Sequence, residues 1–329
     1  ERSMLDDAFI MMPEIHVGAV FAEPLVGVVD YDYGNYRIQL LKKPVLSQNA
    51  PFVAASATGT EQDWHLAVAT YNLENFSSLQ DLEKSRKIAA EIVEVMSAPD
   101  ILVLQEIMDD DGSLDSQQVS AERNLASLIE DISDLSKGAV LYQALNIDPA
   151  RNLDGGLAGG NIRTVILYQT KRGLGLVSAP EGKADEETKL LNENGRAMLS
   201  LNPGRIWPAN SAFFDSRKPI IAQFVFNGQD IYIIGNHFNS KGEDGPLYGD
   251  QQPPQLLSER QRIAQAKAVN GFVRDILDIN PKALIVVAGD LNDFPWSKSL
   301  KTLEGGLLEN LVFTLPENQR FTYMYEGNG

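Results

Sequence analysis

The stretch Ala283-Leu-Ile-Val-Val-Ala-Gly-Asp-Leu-Asn-Asp293 decides how this chain is read. Its apolar half predicts a buried strand, and Gly-Asp-x-Asn-Asp follows at the C-terminal end. Residues two apart on a strand point to the same face, so Asp290 and Asn292 can converge on one reacting group from a rigid support. Read alone, the same residues also describe a turn whose Asx side chains cap backbone. Three further apolar runs shift the balance because they end the same way. Leu66-Ala-Val-Ala-Thr-Tyr-Asn-Leu-Glu-Asn75 opens into Asn72, Glu74 and Asn75, and Ile101-Leu-Val-Leu-Gln-Glu106 ends in Gln105 and Glu106. Ile231-Tyr-Ile-Ile-Gly-Asn-His-Phe-Asn-Ser-Lys241 ends in Asn236, His237, Asn239, Ser240 and Lys241. A carboxylate at the end of an apolar strand is costly unless it is paired or binds a cation. A lone strand-end His is more often structural than catalytic, but these clusters together supply Asn, Glu, His, Asp and Asn.

In this order, Tyr71–Asn75, Gln105-Glu106, Gly235–Lys241 and Gly289–Asp293 resemble the endonuclease/exonuclease/phosphatase (deoxyribonuclease I-like) superfamily. Within it the chain is similar to the large secreted bacterial extracellular nucleases. That likeness extends to Asp109–Gly112, Gly160–Arg163, Ser216–Pro219, Gly245–Gly249 and Arg320–Tyr323, and covers about residues 64–329. It implies an α+β fold, a four-layer α/β/β/α sandwich of two mixed β-sheets flanked by helices, with the polar clusters meeting at one edge. It also implies a secreted, Mg²⁺-dependent nuclease that hydrolyses DNA, with RNA as a further substrate, and little sequence preference. Mn²⁺ and Ca²⁺ stay open as further ions. Two alternatives stand beside it: a sphingomyelinase-like phosphodiesterase or phosphatase acting on lipid headgroups, and a catalytically impaired DNA-binding domain. The family pattern places a final Asp-His pair after the Arg-Phe-Thr-Tyr stretch, whereas the sequence stops at Gly329. The expectation is therefore a catalytic domain lacking its C-terminal end, and neither His16 nor His65 is a convincing substitute.

Phosphodiester hydrolysis needs an activated water, neutralised phosphoryl charge and help for the leaving oxygen. A hard cation prefers carboxylate and water oxygens, which makes Glu106, Asn72 and Asp290 the expected metal set. Glu106, His237, Asp290 and Asn292 are the expected catalytic residues. Asp290 and Asn292 would orient water and a phosphate oxygen, and His237 would donate to the phosphoryl group or move a proton. Arg217, Asn239, Lys241, Arg163 and Asn161 are expected to contact substrate or phosphate, Arg217 through its fork of donors.

A net charge of −17 argues against nucleic-acid binding through a general basic surface. A metal and a local Arg217/Lys218/Lys241 patch would answer that objection. The absence of cysteine excludes disulfides and thiolate chemistry and fits an exported bacterial protein, extracellular, periplasmic or held at the cell surface. No apolar run is long enough to span a membrane, so membrane insertion is not expected, nor is an obligate protein partner.

Residues 1–62 read as a β-rich segment ending in a linker, and residues 63–329 as the catalytic domain. Within the first, 25–41 predicts a short hairpin or two strands and 44–62 a linker. Helices are expected over 81–96, 120–133 and 258–277, and strands over 162–168, 220–226 and 231–235. The Asp109–Asp115 run reads as a solvated acidic loop rather than a calcium site, because it lacks a bidentate Glu. Asp154–Asn161 is Gly-rich without the strand-to-helix setting of a phosphate loop. Residues 242–254 read as a substrate-facing flap.

Overall fold

The computed structural model describes residues 3–16, 18–49, 64–170, 172–320 and 322. These fall into two compact units. The smaller takes the described residues of Glu1–Ala54, Ser240–Arg260 and Glu309–Gly329, the larger those of Ala55–Asn239 and Gln261–Leu308. Most of the expected linker, from residue 50 onward, lies outside the described residues, as do Phe321 and Tyr323 of the Arg320–Tyr323 stretch.

In the smaller unit run β1 (Leu5–Asp6), β2 (Val20–Phe21), β3 (Gly27–Asp32), β4 (Asn35–Leu40) and β5 (Leu46–Gln48). β3 and β4 form the expected hairpin, joined by Tyr33-Gly34 with φ of 47° and 76°. Positive φ at both turn residues matches the right-handed twist of paired strands, and Gly34 adopts it without a Cβ clash. β1 pairs parallel with β4, and β2 antiparallel with β5. The Tyr36 N–H donates to the Tyr248 carbonyl at 2.7 Å and the Tyr248 N–H to Asn35 Oδ1 at 3.1 Å. The run 242–254, read from the sequence as a flap, is thus held on the turn of this hairpin.

The larger unit runs β6 (Val68–Phe76), α1 (Leu82–Ala90), β7 (Ile101–Ile107), α2 (Glu122–Leu135), β8 (Tyr142–Leu145), β9 (Arg163–Gln169), β10 (Gly175–Leu176), β11 (Leu190–Glu193), β12 (Arg196–Leu199), β13 (Gly204–Arg205), β14 (Ile220–Phe226), β15 (Gln229–His237), α3 (Glu259–Ile279, from Gln261 onward in this unit), β16 (Leu284–Asp290) and α4 (Lys298–Glu304). One sheet has the order β6-β7-β9-β8, with β6 and β7 parallel and the remaining pairs antiparallel. The other has the order β10-β14-β15-β16, with β13 also on β14 and only β15 and β16 parallel. Both sheets are mixed.

Alternation along the central strands makes the layers. On β7, Leu102 and Leu104 pack with Ile88 and Ile92 of the first helical segment and with Leu128 and Ile132 of α2. Their neighbours Ile101 and Val103 face Ile220, Ala222, Ile231 and Ile233 of the other sheet. On β15, Tyr232 and Ile234 pack on Val269, Phe272 and Ile276 of α3 and on Leu300 and Leu303 of α4. A strand covered on both sides needs apolar residues at every position, so these strands read as continuous apolar runs. The result is the four-layer sandwich of helices, two sheets and helices.

The helix expected over 81–96 starts where Asp81 accepts the Lys84 N–H at 2.9 Å, a side-chain N-cap. From Glu91 to Val95 it widens into a π turn, with the Met96 N–H on the Glu91 carbonyl. The acidic loop at 109–115 differs from its solvated expectation. Asp109 and Asp110 are buried, Asp110 Oδ1 takes the Asn124 N–H of α2 at 2.8 Å, and Asp109 Oδ2 takes Asn161 Nδ2 at 2.8 Å. It is a structural joint because those amides need acceptors inside the fold.

Candidate active site

Four strand ends of the larger unit meet at one place. β15 and β16 are parallel and in register, so His237 lies beside Asp290. On the other sheet β6 and β7 are parallel, with Asn72 beside Gln105, and the register then slips between Asn72 and Phe76. The β7–β9 register slips over the same stretch, between Leu104 and Ile107. A slip of this kind re-aims one side chain. Glu106 sits in it with φ of 62°, in the left-handed region that a side chain rarely occupies. Its neighbour Gln105 stays buried, accepting from Thr70 Oγ1 at 3.2 Å and donating to the Val103 carbonyl at 3.0 Å. Of that pair, Gln105 is structural and Glu106 is the side chain turned to the edge.

Asn72 ties the two sheets together. Its Nδ2 donates to Glu106 Oε1 at 2.9 Å and to Asp290 Oδ2 at 2.8 Å. Its Oδ1 takes the Glu74 N–H at 2.9 Å, and the Asn75 N–H donates to Glu106 Oε2 at 2.8 Å. Asp290 Oδ1 accepts the Asn292 N–H at 2.9 Å. Asn292, at φ of 49°, donates through Nδ2 to the Phe238 carbonyl at 3.0 Å. His237 Nε2 lies 3.7 Å from Glu106 Oε1 and 3.9 Å from Asp290 Oδ2, beyond hydrogen-bond length. Its Nδ1 is buried with no hydrogen-bond partner among the described residues. Burial first, and the positive Arg217 second, hold the imidazole pKa well below its usual 6.5, so this histidine is neutral at pH 7.

Arg217 is buried, donates from Nη2 to the Phe238 carbonyl at 2.8 Å, and has no partner for Nε among the described residues. Burial lowers its pKa, while Glu106 and Asp290 oppose that shift. It therefore lends charge from behind the cluster. Asn239 is fixed through its backbone, which gives an N–H to Gln265 Oε1 at 2.8 Å and accepts Arg262 Nη1 at 3.4 Å. Asn161 is spent inside the fold, on Asp109, the Gln118 and Gly159 carbonyls and the Asn152 N–H. Arg163 is buried against Asp148 at 2.7 Å and the Asn161 carbonyl at 2.9 Å. Asn72, Glu106, His237, Asp290 and Asn292 are thus brought together, with Arg217 behind them. Asn161 and Arg163 are not joined to the cluster by any hydrogen bond, and Lys241 belongs to the smaller unit.

Sequence reasoning missed Arg262 and Gln265, both buried on α3. Arg262 Nε holds Asp293 Oδ2 at 3.2 Å, and Gln265 Nε2 donates to Ser216 Oγ at 2.8 Å. Their signal was present: two polar residues three apart on the apolar stripe of a helix have to answer partners in the core. Asp293, which also accepts Ser299 Oγ at 2.6 Å, is in turn the structural Asp of the Gly289–Asp293 motif.

The donor set can be tested against a divalent cation. Among the described residues no group of three His, Cys, Asp or Glu side chains is spaced to hold a metal. Two carboxylates do converge, with Glu106 Oε1 and Asp290 Oδ2 sharing the Asn72 amide. That suits Mg²⁺, which keeps several waters and binds through one or two carboxylates plus substrate phosphate. It does not suit a closed protein cage.

The model of the Endonuclease/Exonuclease/phosphatase family matches residues 69–329. No curated protein matches the chain. Among solved structures the chain is similar to TDP2 from Caenorhabditis elegans, at 20% identity and TM-score 0.39, over 69% of this chain and 47% of that one. It thus spans about half the length of that protein. It is also similar to D. rerio TDP2 complexed with single strand DNA product, at 18% identity and TM-score 0.37, over 74% and 66% of the two chains. Beta toxin from Staphylococcus aureus matches at 14% identity and TM-score 0.41, over 74% and 71%.

Proposed function

The chain belongs to the endonuclease/exonuclease/phosphatase family, whose members are metal-dependent phosphodiesterases and related hydrolases, and from that premise we propose that it is a Mg²⁺-dependent phosphodiesterase that cleaves DNA. The observation that carries this reading is the convergence of Glu106, Asp290 and His237 about the Asn72 amide, from strand ends of two sheets.

In this reading Glu106 and Asp290 would hold the cation. Asn72, expected from the sequence as a third ligand, would position them instead, because its Nδ2 bridges the two carboxylates and its Oδ1 is taken by the Glu74 N–H. When bound, the cation supplies charge neutralisation on the phosphoryl oxygens and a more acidic water. Asp290, its side chain fixed by the Asn72 amide and the Asn292 N–H, orients the attacking water and takes up its proton. Asn292 is pinned to the Phe238 carbonyl and fixes the direction of that approach. His237, neutral and held in place by burial, donates from Nε2 to a phosphoryl oxygen whose charge grows in the transition state. Arg217 adds positive charge from behind, and the Asn239 side chain, on a backbone anchored by Gln265, is a phosphate contact. Asn161 and Arg163 support the wall through Asp109 and Asp148.

A substrate panel tests the choice. Plasmid DNA, RNA and sphingomyelin vesicles are offered with Mg²⁺ at equal enzyme concentration, and DNA is expected to be cleaved fastest. Intact DNA beside hydrolysed lipid would replace this proposal with the headgroup phosphodiesterase.

A further inference from the structure

Arg217 also lines a pocket of about 220 Å³ of empty space, part of it open to solvent. Its polar lining is Arg163, Thr164, Arg205, Arg217, Lys218 and Asp154. Four cationic side chains therefore face one carboxylate. Asp154 is already engaged, Oδ2 on Arg205 and Oδ1 on Lys218, both at 2.7 Å. Arg163 finds Asp148, a half-exposed partner, through Nη1. No carboxylate among the described residues comes within ion-pair distance of Arg217. Such surplus charge is expensive at this depth. Burial first, helped by the like charge of Arg205, pulls the Arg163 pKa down to about 10 against the pull of Asp148 and Asp109.

Among the described residues, Arg163 Nε, Arg217 Nε and Thr164 Oγ1 are all buried without a hydrogen-bond partner, and all three residues line this pocket. Guanidinium nitrogens only donate, and a threonine hydroxyl donates when offered an acceptor. A water satisfies part of this set and leaves the charge as it was. An anion accepts from donors of this kind and neutralises charge as well. The innermost space is about the size of one water molecule, which excludes a whole phosphate and admits a monatomic ion or a single oxyanion oxygen.

We infer that the pocket walled by Arg163, Thr164, Arg205, Arg217 and Lys218 is an anion site, filled by one halide-sized ion or by one oxygen of a phosphate. It does not depend on which phosphodiester the enzyme cleaves.

Crystals of the whole chain soaked in bromide and measured at the bromine edge test this directly. The expected result is an anomalous peak within about 3.5 Å of the three unsatisfied atoms. In solution, bromide at constant ionic strength against gluconate should raise the melting temperature saturably, by about 2–4 °C. Thr164→Val, which keeps shape and removes one donor, should weaken bromide about tenfold. Phosphate that displaces bromide and places one oxygen in the pocket identifies the substrate or product as the source; phosphate without effect identifies a free halide. Bromide peaks confined to exposed lysines, or a melting shift untouched by Thr164→Val, would overturn the inference.

Discussion

Glu106 carries the heaviest constraint of any side chain in the cluster. It adopts a φ of 62°, takes an amide from Asn72 and a backbone N–H from Asn75, and faces His237. Backbone strain of this kind costs on the order of 1–3 kcal/mol and persists where the surroundings enforce it. Glu106→Gln keeps the shape and removes the charge, so it should lower turnover by about 10³-fold or more with the fold intact, read by steady-state kinetics beside circular dichroism. Asp290→Ala should do the same, and turnover like the wild type in either would remove the proposed site. His237 gives a stability prediction with a definite sign. Its folded pKa lies well below the unfolded 6.5, so as pH falls from about 6.5 the unfolded chain takes up a proton that the folded chain refuses. Stability from this group is complete above pH 6.5 and is lost on acidification. Urea unfolding of His237→Gln should lack that slope, and an unchanged slope would mean that the imidazole charges in place. The sequence made Glu106, His237, Asp290 and Asn292 legible because each is polar where an apolar strand stops. It could not separate Asn161 and Arg163 from them, since a polar residue spent on the Asp109 joint looks the same in one dimension as a substrate contact.

At the scale of elements, β16 and β15 run in register only because Gly289 has no side chain. Its φ is +139°, and a Cβ there would sit 2.0 Å from the Asn236 carbonyl oxygen. Gly289→Ala should therefore cost more than about 2 kcal/mol by denaturant unfolding and displace Asp290 from His237. A cost near zero would mean that the β15–β16 pairing is not what sets the site. The long strands were readable since apolar residues on both faces mark a strand buried between layers. The two-residue strands β10 and β13 were not, because pairing with β14, well beyond any local turn, makes them strands. The hairpin β11–β12, closed by Asn194-Gly195 with positive φ at both residues, did carry a local turn signal that the sequence reading passed over. The π turn at Glu91–Val95 also escaped, as its apolar spacing is still that of a helix.

Over the whole molecule, a net charge of −17 sets the terms on which a polyanion approaches. Long-range repulsion is screened over about 10 Å at 0.1 M salt, so DNA cleavage should hold or rise between 10 and 100 mM NaCl at fixed Mg²⁺. A basic nuclease loses affinity steeply over that range, and such a fall in kcat/KM here would point to an unrecognised basic surface. The layered architecture was legible through the family resemblance, with which the alternating strand and helix patterns agree. The grouping of residues 240–260 with the N-terminal hairpin was not, since it rests on backbone bonds such as Tyr36 to Tyr248 that leave no local signal. The measurement that bears most directly on the central claim is plasmid cleavage with Mg²⁺ and with chelator, by the wild-type chain and by Glu106→Gln. Chelator-sensitive cleavage that Glu106→Gln abolishes is the predicted result. Cleavage that survives both chelator and substitution would contradict the account, because the catalytic centre would then lie elsewhere.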